Sequence, residues 1–289
     1  MDSSDQSSAF YEQSIPFREY QIKAGQFSLN CREAGEGLPV IFIETMRWGN
    51  RDLYDALGQR FHLFVLEFET AEVENMQARR REFRERNPDA LEDFGIYIPK
   101  EEGAEAAVRQ AAKALAGDSY NLVGATQGAN LALRTILRAP VDPEPAESLV
   151  LLSPNAIRTA PDLFDLDSIG WTRRLVADIH RMTNIRDLPD SWDLAPMFLP
   201  KESDAELEQW LPEVKCPTLA VFGTRDRQIA REAPSTYRAN IPNCHVSLIY
   251  DAAHLVAAER PQAVADVVSD FIENRETFVV NRQRSVINP

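Results

Sequence analysis

Tyr120–Leu137, YNLVGATQGANLALRTIL, reads as an apolar strand, a glycine-flanked turn and an apolar helix. A strand that runs straight into a helix must bend sharply, and the residue at the apex, Thr126, is projected above the carboxyl end of the strand. The same bend aims the amide of Gln127 and the helix N-terminus at that point. Gly124 and Gly128 on either side allow neighbouring elements to approach closely.

Moving outward, the alternation continues. GEGLPVIFIE gives a turn and then a wholly apolar, β-branched run at Val40–Ile43, the pattern of a strand buried on both faces. A helix is expected over Leu53–Arg60 and a second buried strand over His62–Glu69. Two further strands, Phe17–Ile22 and Phe27–Arg32, precede these, after a polar tail at 1–14 expected to be disordered. A charged helical stretch at Glu72–Arg86 breaks at Asn87-Pro88, and an alanine-rich helix at Ala104–Ala116 ends on Gly117, a suitable C-cap. Downstream, strands are expected at Ser148–Pro154, in Pro217–Asp226 and in Cys244–His254, with an amphipathic helix at Pro261–Glu273. Asp162–Val214 interrupts the pattern and carries Trp171, Trp192 and Trp210, which marks a helical cap inserted at 160–214. The expected fold class is α/β: one domain spanning 1–289, with a mostly parallel sheet flanked by helices on both faces.

Composition narrows the function. The chain holds 45 Asp plus Glu against 31 Lys plus Arg, a formal net charge of −14, which disfavours nucleic acid and anionic membrane. No apolar run approaches the roughly 20 residues that cross a bilayer. The polar, acidic start MDSSDQSSAF lacks the order of a signal peptide, and Cys31, Cys216 and Cys244 form no C-x-x-C pair. A cytoplasmic protein without metal or cofactor is the expectation. Gly35-Glu36-Gly37 precedes its strand, the wrong side for a dinucleotide fingerprint. Arg79, Arg80, Arg81, Arg84 and Arg86 interleave with Glu82 and Glu85 on a solvated or subunit-facing helix, which leaves a homodimer open.

Gly124-Ala125-Thr126-Gln127-Gly128 resembles the G-x-S-x-G nucleophile elbow of the α/β-hydrolases, with threonine in the serine position. The resemblance extends over about Val40 to Ile272. It includes the order nucleophile, acid, base: Asp226 stands in GTRD after one strand, and His254 in DAAHLVAAERP after the next. It implies an α/β-hydrolase fold with Thr126 as nucleophile, His254 as its base and Asp226 holding the histidine tautomer. The amides of Met46 and Gln127 would form the oxyanion hole. Trp48, Trp171 and Trp192 would either line a substrate pocket or pack the cap on the core.

Two positions depart from the family. Threonine is β-branched, and the elbow requires positive φ, at about 1–3 kcal/mol of strain. The oxyanion-loop strand, which ends in His-Gly in the family, runs here into Glu44-Thr45. A carboxylate facing the hole would oppose developing negative charge, so Glu44 is expected to turn away and bond local backbone; the other reading makes it an acid or base. The expected activity is cofactor-independent hydrolysis of a small ester or activated carbonyl substrate. Two rivals stay open: a general-base, lyase- or oxygenase-like reaction without covalent catalysis, and a non-catalytic ligand-binding or scaffold protein.

Overall fold

The computed structural model describes residues 14–44, 50–68, 103–139, 146–157 and 205–275. Its strands are β1 (Arg18–Ala24), β2 (Phe27–Ala34), β3 (Pro39–Glu44), β4 (His62–Phe68), β5 (Tyr120–Ala125), β6 (Ala146–Leu152), β7 (Thr218–Gly223) and β8 (Cys244–Ile249). They form one sheet in the order β1-β2-β4-β3-β5-β6-β7-β8. β1 and β2 pair antiparallel, as do β2 and β4, while every pairing from β4 through β3 to β8 is parallel.

The apolar runs are uniform because both faces of the sheet are covered. On β3, Ile41 and Ile43 join one core cluster and Val40 and Phe42 the other. Leu151 and Val150 of β6 divide in the same way. The helices α2 (Ala104–Ala116) and α3 (Gln127–Leu137) cover the first face, through residues such as Val108 and Leu133. α1 (Arg51–Gly58) and α7 (Pro261–Asn274) cover the second, through Leu57 and Phe271. Each large aliphatic side chain so buried contributes about 1.5–3 kcal/mol. α2 starts and stops where the alanine-rich pattern does, and Gly117 closes it at φ 79° with its N–H on the Lys113 carbonyl.

Two boundaries differ from expectation. The last residues assigned to the cap form α4 (Ala205–Trp210) and a turn of 3₁₀ helix at Leu211–Glu213. Leu207, Leu211 and Val214 are buried in the main core beside Ala233 and Tyr237 of α5 (Ala233–Asn240), so this stretch belongs to the helical layer. Their spacing of four and three residues is that of one helix face, which is why they pack there. The rest of the expected cap, 158–204, and the arginine-rich stretch lie outside the described residues. Ser14, counted with the tail, accepts a hydrogen bond from Arg51, which also donates to the Ile15 carbonyl.

The topology places a crevice. From β3 the chain goes outward to β4 on one side, while β5 lies on the other, so the strand order reverses between β3 and β5. In open α/β sheets ligands bind beyond the carboxyl ends of the strands at such a reversal. Here those ends are Glu44 and Ala125, the latter followed at once by Thr126.

Candidate active site

Thr126 joins β5 to α3 at φ 51° and ψ −112°, a conformation that costs a β-branched residue strain and that the sharp turn imposes. Its N–H extends the sheet ladder to the Leu152 carbonyl at 2.7 Å, and its carbonyl accepts from Ala129 and Asn130 to start the helix. The close approach needs glycine at 128: a Cβ there would lie 2.3 Å from the Ile43 carbonyl oxygen of β3. Gln127 is the first residue of α3, so its N–H is one of those left without an intrahelical partner.

Asp226 and His254 reach the same region from the loops after β7 and β8. His254 Nδ1 lies 2.9 Å from Asp226 Oδ2, with both side chains about 95% buried or more. The other carboxylate oxygen accepts the Gln228 N–H at 2.8 Å, which fixes its orientation. Because a carboxylate only accepts, Nδ1 carries a proton, and in the neutral ring the lone pair therefore lies on Nε2. The loop holding His254 is pinned by Arg225 N–H to the Ala252 carbonyl and Ala253 N–H to the Glu259 carboxylate at the end of α6 (Val256–Glu259). A Cβ on Gly223 would strike the carbonyl oxygens of Ala252 and Ala253 at 2.3 and 2.2 Å, so this approach too requires glycine.

Thr126, His254 and Glu44 line one small cavity of about 20 Å³, room for about one water, walled by Leu152, Leu255, Val256, Ala257 and Ala258. His254 Nε2 is buried and makes no hydrogen bond, so the bond expected between it and the Thr126 hydroxyl is not formed in this state.

Glu44 corrects an expectation. It does not turn away from the site: it is 3% exposed and lines the cavity, and its Oε2 accepts from Asn50 Nδ2 at 2.7 Å and from the Tyr54 hydroxyl. Two donors on one oxygen meet much of the cost of burying the carboxylate, which the first argument assumed could be met only outside the site. Burial, with the Glu44 charge added to it, pushes the Tyr54 phenol well above its ordinary value, so it remains a donor. Asn50 and Tyr54 were missed in the sequence. Asn50 sits at the N-cap position of α1 and invites a capping role, but its side chain makes no cap bond and goes to Glu44.

Met46, Trp48, Trp171 and Trp192 lie outside the described residues, so of the expected oxyanion pair only Gln127 is placed. Among the described residues no group of three or more His, Cys, Asp or Glu is arranged to hold a metal, and no helix is long and apolar enough to cross a membrane.

The fold is similar to that of solved structures. Carboxylesterase CesB (YbfK) from Bacillus subtilis matches with a TM-score of 0.58 and 16% identity, over 93% of this chain and 95% of that one. The chain has the α/β-hydrolase fold. At that identity the likeness carries the fold alone. No protein-family model matches the sequence. Among curated proteins, the uncharacterized hydrolase YugF of Bacillus subtilis (strain 168) is 33% identical over 73 residues, 25% of this α/β-hydrolase-fold chain and 26% of the relative. Monoacylglycerol lipase ABHD6 of Homo sapiens is 29% identical over 72 residues, 25% of this chain and 21% of the relative. The matched stretch thus spans about a quarter of each curated relative's length.

Proposed function

We propose that this α/β-hydrolase-fold protein is a cofactor-independent hydrolase of a small carboxylic ester or similarly activated carbonyl compound. The observation that carries the reading is the meeting of Thr126, at the positive-φ apex of the elbow, with the Asp226-bonded His254 on one cavity. The names of the relatives, hydrolase, lipase and carboxylesterase, agree with it.

In this mechanism the Thr126 oxygen attacks the carbonyl carbon while His254 Nε2 takes the hydroxyl proton, and Asp226 stabilises the imidazolium. The oxyanion lies against the Gln127 and Met46 amides. Collapse breaks the bond to the leaving oxygen, which takes the proton from His254. Water then attacks the acyl-threonine, giving its proton to His254, and the acid leaves as the Thr126 oxygen is reprotonated. The small cavity at the inner end, about 20 Å³, supports a short acyl group there. Trp48, Trp171 and Trp192 would bound the outer end from the cap and the segment after β3.

A second reading is favoured by the unpartnered Nε2: His254 acts as a general base on an acidic substrate proton or on water, and Thr126 only hydrogen-bonds. Hydrolysis of a short activated ester by wild type, Thr126→Ser, Thr126→Ala and His254→Ala separates the two. In the first reading Thr126→Ser relieves strain and gains about tenfold, the worth of 1.4 kcal/mol, while Thr126→Ala loses the reaction and a fluorophosphonate labels Thr126. In the second, Thr126→Ala keeps most of its activity and His254→Ala loses it. Absence of ester turnover in every form removes the nucleophile reading and the water-activating form of the second.

A further inference from the structure

The two edges of the sheet are built differently. β1 carries Arg18, Glu19 and Lys23 in REYQIKA, charges that discourage another strand from pairing there. β8 and the residue after it read CHVSLIY, without Asp, Glu, Lys, Arg or Pro. Thr218 N–H donates to the Asn243 carbonyl and Thr224 N–H to that of Ile249, so in this parallel ladder the odd-numbered residues of β8 turn their backbone groups to β7. Those of Cys244, Val246 and Leu248 turn outward, and among the described residues no strand pairs with them. The side chains divide along the strand. Leu248 is 58% exposed and Tyr250 83%, whereas Cys244 and Val246 are half-buried against the core beneath α5. On the α7 side the edge opens into a groove of about 480 Å³ walled by Ala263 and Val267.

We propose that a second copy of this chain adds its own β8 to this edge, antiparallel, across a two-fold axis. Antiparallel pairing of a strand with itself satisfies the outward N–H and C=O groups of both copies at once, and closed two-fold dimers are the commonest oligomers. The side chains are self-complementary in one register. Centred on Ser247, the pairing sets Val246 opposite Leu248 of the second copy, and Cys244 opposite Tyr250 of the second copy. Each exposed side chain of the carboxyl half then covers a half-buried one of the amino half, twice over by symmetry. A strand from another protein would satisfy the backbone but not this reciprocity. Charge agrees with the antiparallel sense. Only Ile241, Pro242 and Asn243 separate α5 from β8, so α5 runs back over the strand and brings Arg238, in its last turn, beside the strand's start. The Arg238 charge accordingly acts on the Cys244 thiol. Glu232 precedes α5 at the opposite end. The two-fold axis sets the Arg238 end of one helix toward the Glu232 end of the other, on both sides of the junction. The strand itself contributes no charge, so copies of net charge −14 meet along a neutral edge.

Sedimentation equilibrium of the full chain over about 1–100 µM, a range that spans a micromolar Kd, reads the assembly. Wild type is expected to approach twice the 32.6 kDa of the chain. Val246→Pro removes an outward N–H, and an edge strand tolerates proline where its N–H faces solvent, so the monomer is expected to keep its fold. Leu248→Lys sets a charge where the side chain is already exposed. Each variant is expected to weaken dimerisation at least about tenfold. A wild type that stays monomeric throughout overturns the proposal. So does a dimer that both variants leave intact, since it would use another face. Amide hydrogen exchange of wild type at the two ends of the concentration range needs no variant. The Val246 and Leu248 amides are expected to slow as the dimer fills. Exchange there that does not change while the mass doubles removes β8 from the interface.

Discussion

His254 Nδ1 and Asp226 Oδ2 lie 2.9 Å apart although 28 positions separate them in the chain, because adjacent parallel strands, β7 and β8, deliver both residues at their carboxyl ends. With Asp226 Oδ1 bonded to the Gln228 N–H, the carboxylate has one orientation available to it. Asp226→Asn keeps the shape, but an amide N–H turned toward Nδ1 forces the proton onto Nε2, where the base is needed. Ester turnover is expected to fall about 10³-fold with KM little changed, while stability falls by only about 1 kcal/mol. Steady-state kinetics and urea unfolding measure the two effects. A loss of activity under tenfold would remove His254–Asp226 from the mechanism.

Gly128 controls how closely α3 approaches β3. A methyl at that position would meet the Ile43 carbonyl oxygen at 2.3 Å, backbone that cannot swing aside. Gly128→Ala is expected to destabilise the protein by about 1–3 kcal/mol, in the range of core overpacking, despite alanine's better helix propensity. The denaturation midpoint reads this directly. A neutral or stabilising result would show that the elbow helix is not seated against β3 as described.

Asn130 ties the same helix to the chain after β6. Its Oδ1 accepts the N–H groups of Asn155 and Ala156 at 3.2 and 3.1 Å, and its Nδ2 donates to Asn155 Oδ1 at 2.6 Å. Asn130→Ala leaves those buried groups unsatisfied and is expected to cost about 2–3 kcal/mol. Asn130→Asp keeps an acceptor for both backbone N–H groups but sets a carboxylate against Asn155 Oδ1, so it should also destabilise, and more at neutral than at acid pH. Thermal unfolding of the two variants at two pH values checks the order.

How much could be read in advance varied with the physics of each element. β3, β5, β6 and β7 were legible because burial on both faces leaves uninterrupted apolar runs, and α2 because its alanines and Gly117 mark both ends. The order Thr126, Asp226, His254 at strand ends was legible for a related reason: parallel strands must deliver their following loops to one edge. The orientation of Glu44 was not. It depends on Asn50 and Tyr54, which come from the next turn and helix, and nothing local to IFIE signals donors arriving from there. The extent of the last strand was also obscured. The run Cys244–His254 leaves the sheet after Ile249, where Asp251 takes a φ of 58° that apolar patterning does not encode. Leu207, Leu211 and Val214 carried a readable helix face, but three tryptophans nearby drew the whole stretch into the cap.

Far from the cavity, Glu33 on β2 and His62 on β4 form a pair whose effect on stability has a definite sign with pH. His62 Nε2 lies 2.9 Å from Glu33 Oε1, and the hydrogen bond from His62 is the foremost cause holding the Glu33 carboxyl below its ordinary value. Burial pushes the other way, and bonding to Tyr20 adds to the lowering. A carboxyl whose folded value is depressed contributes stability that is fully present above its unfolded value and is lost as pH falls through the folded one. The side chains are 22% and 35% exposed, so solvent screening limits the pair to about 0.5–1 kcal/mol. Glu33→Gln should therefore be less stable than wild type by about that amount at pH 7, with the gap closing below about pH 4. Urea midpoints for both proteins between these pH values test it. A gap that stays constant, or widens in acid, would mean that the Glu33 carboxylate is not stabilised by the fold.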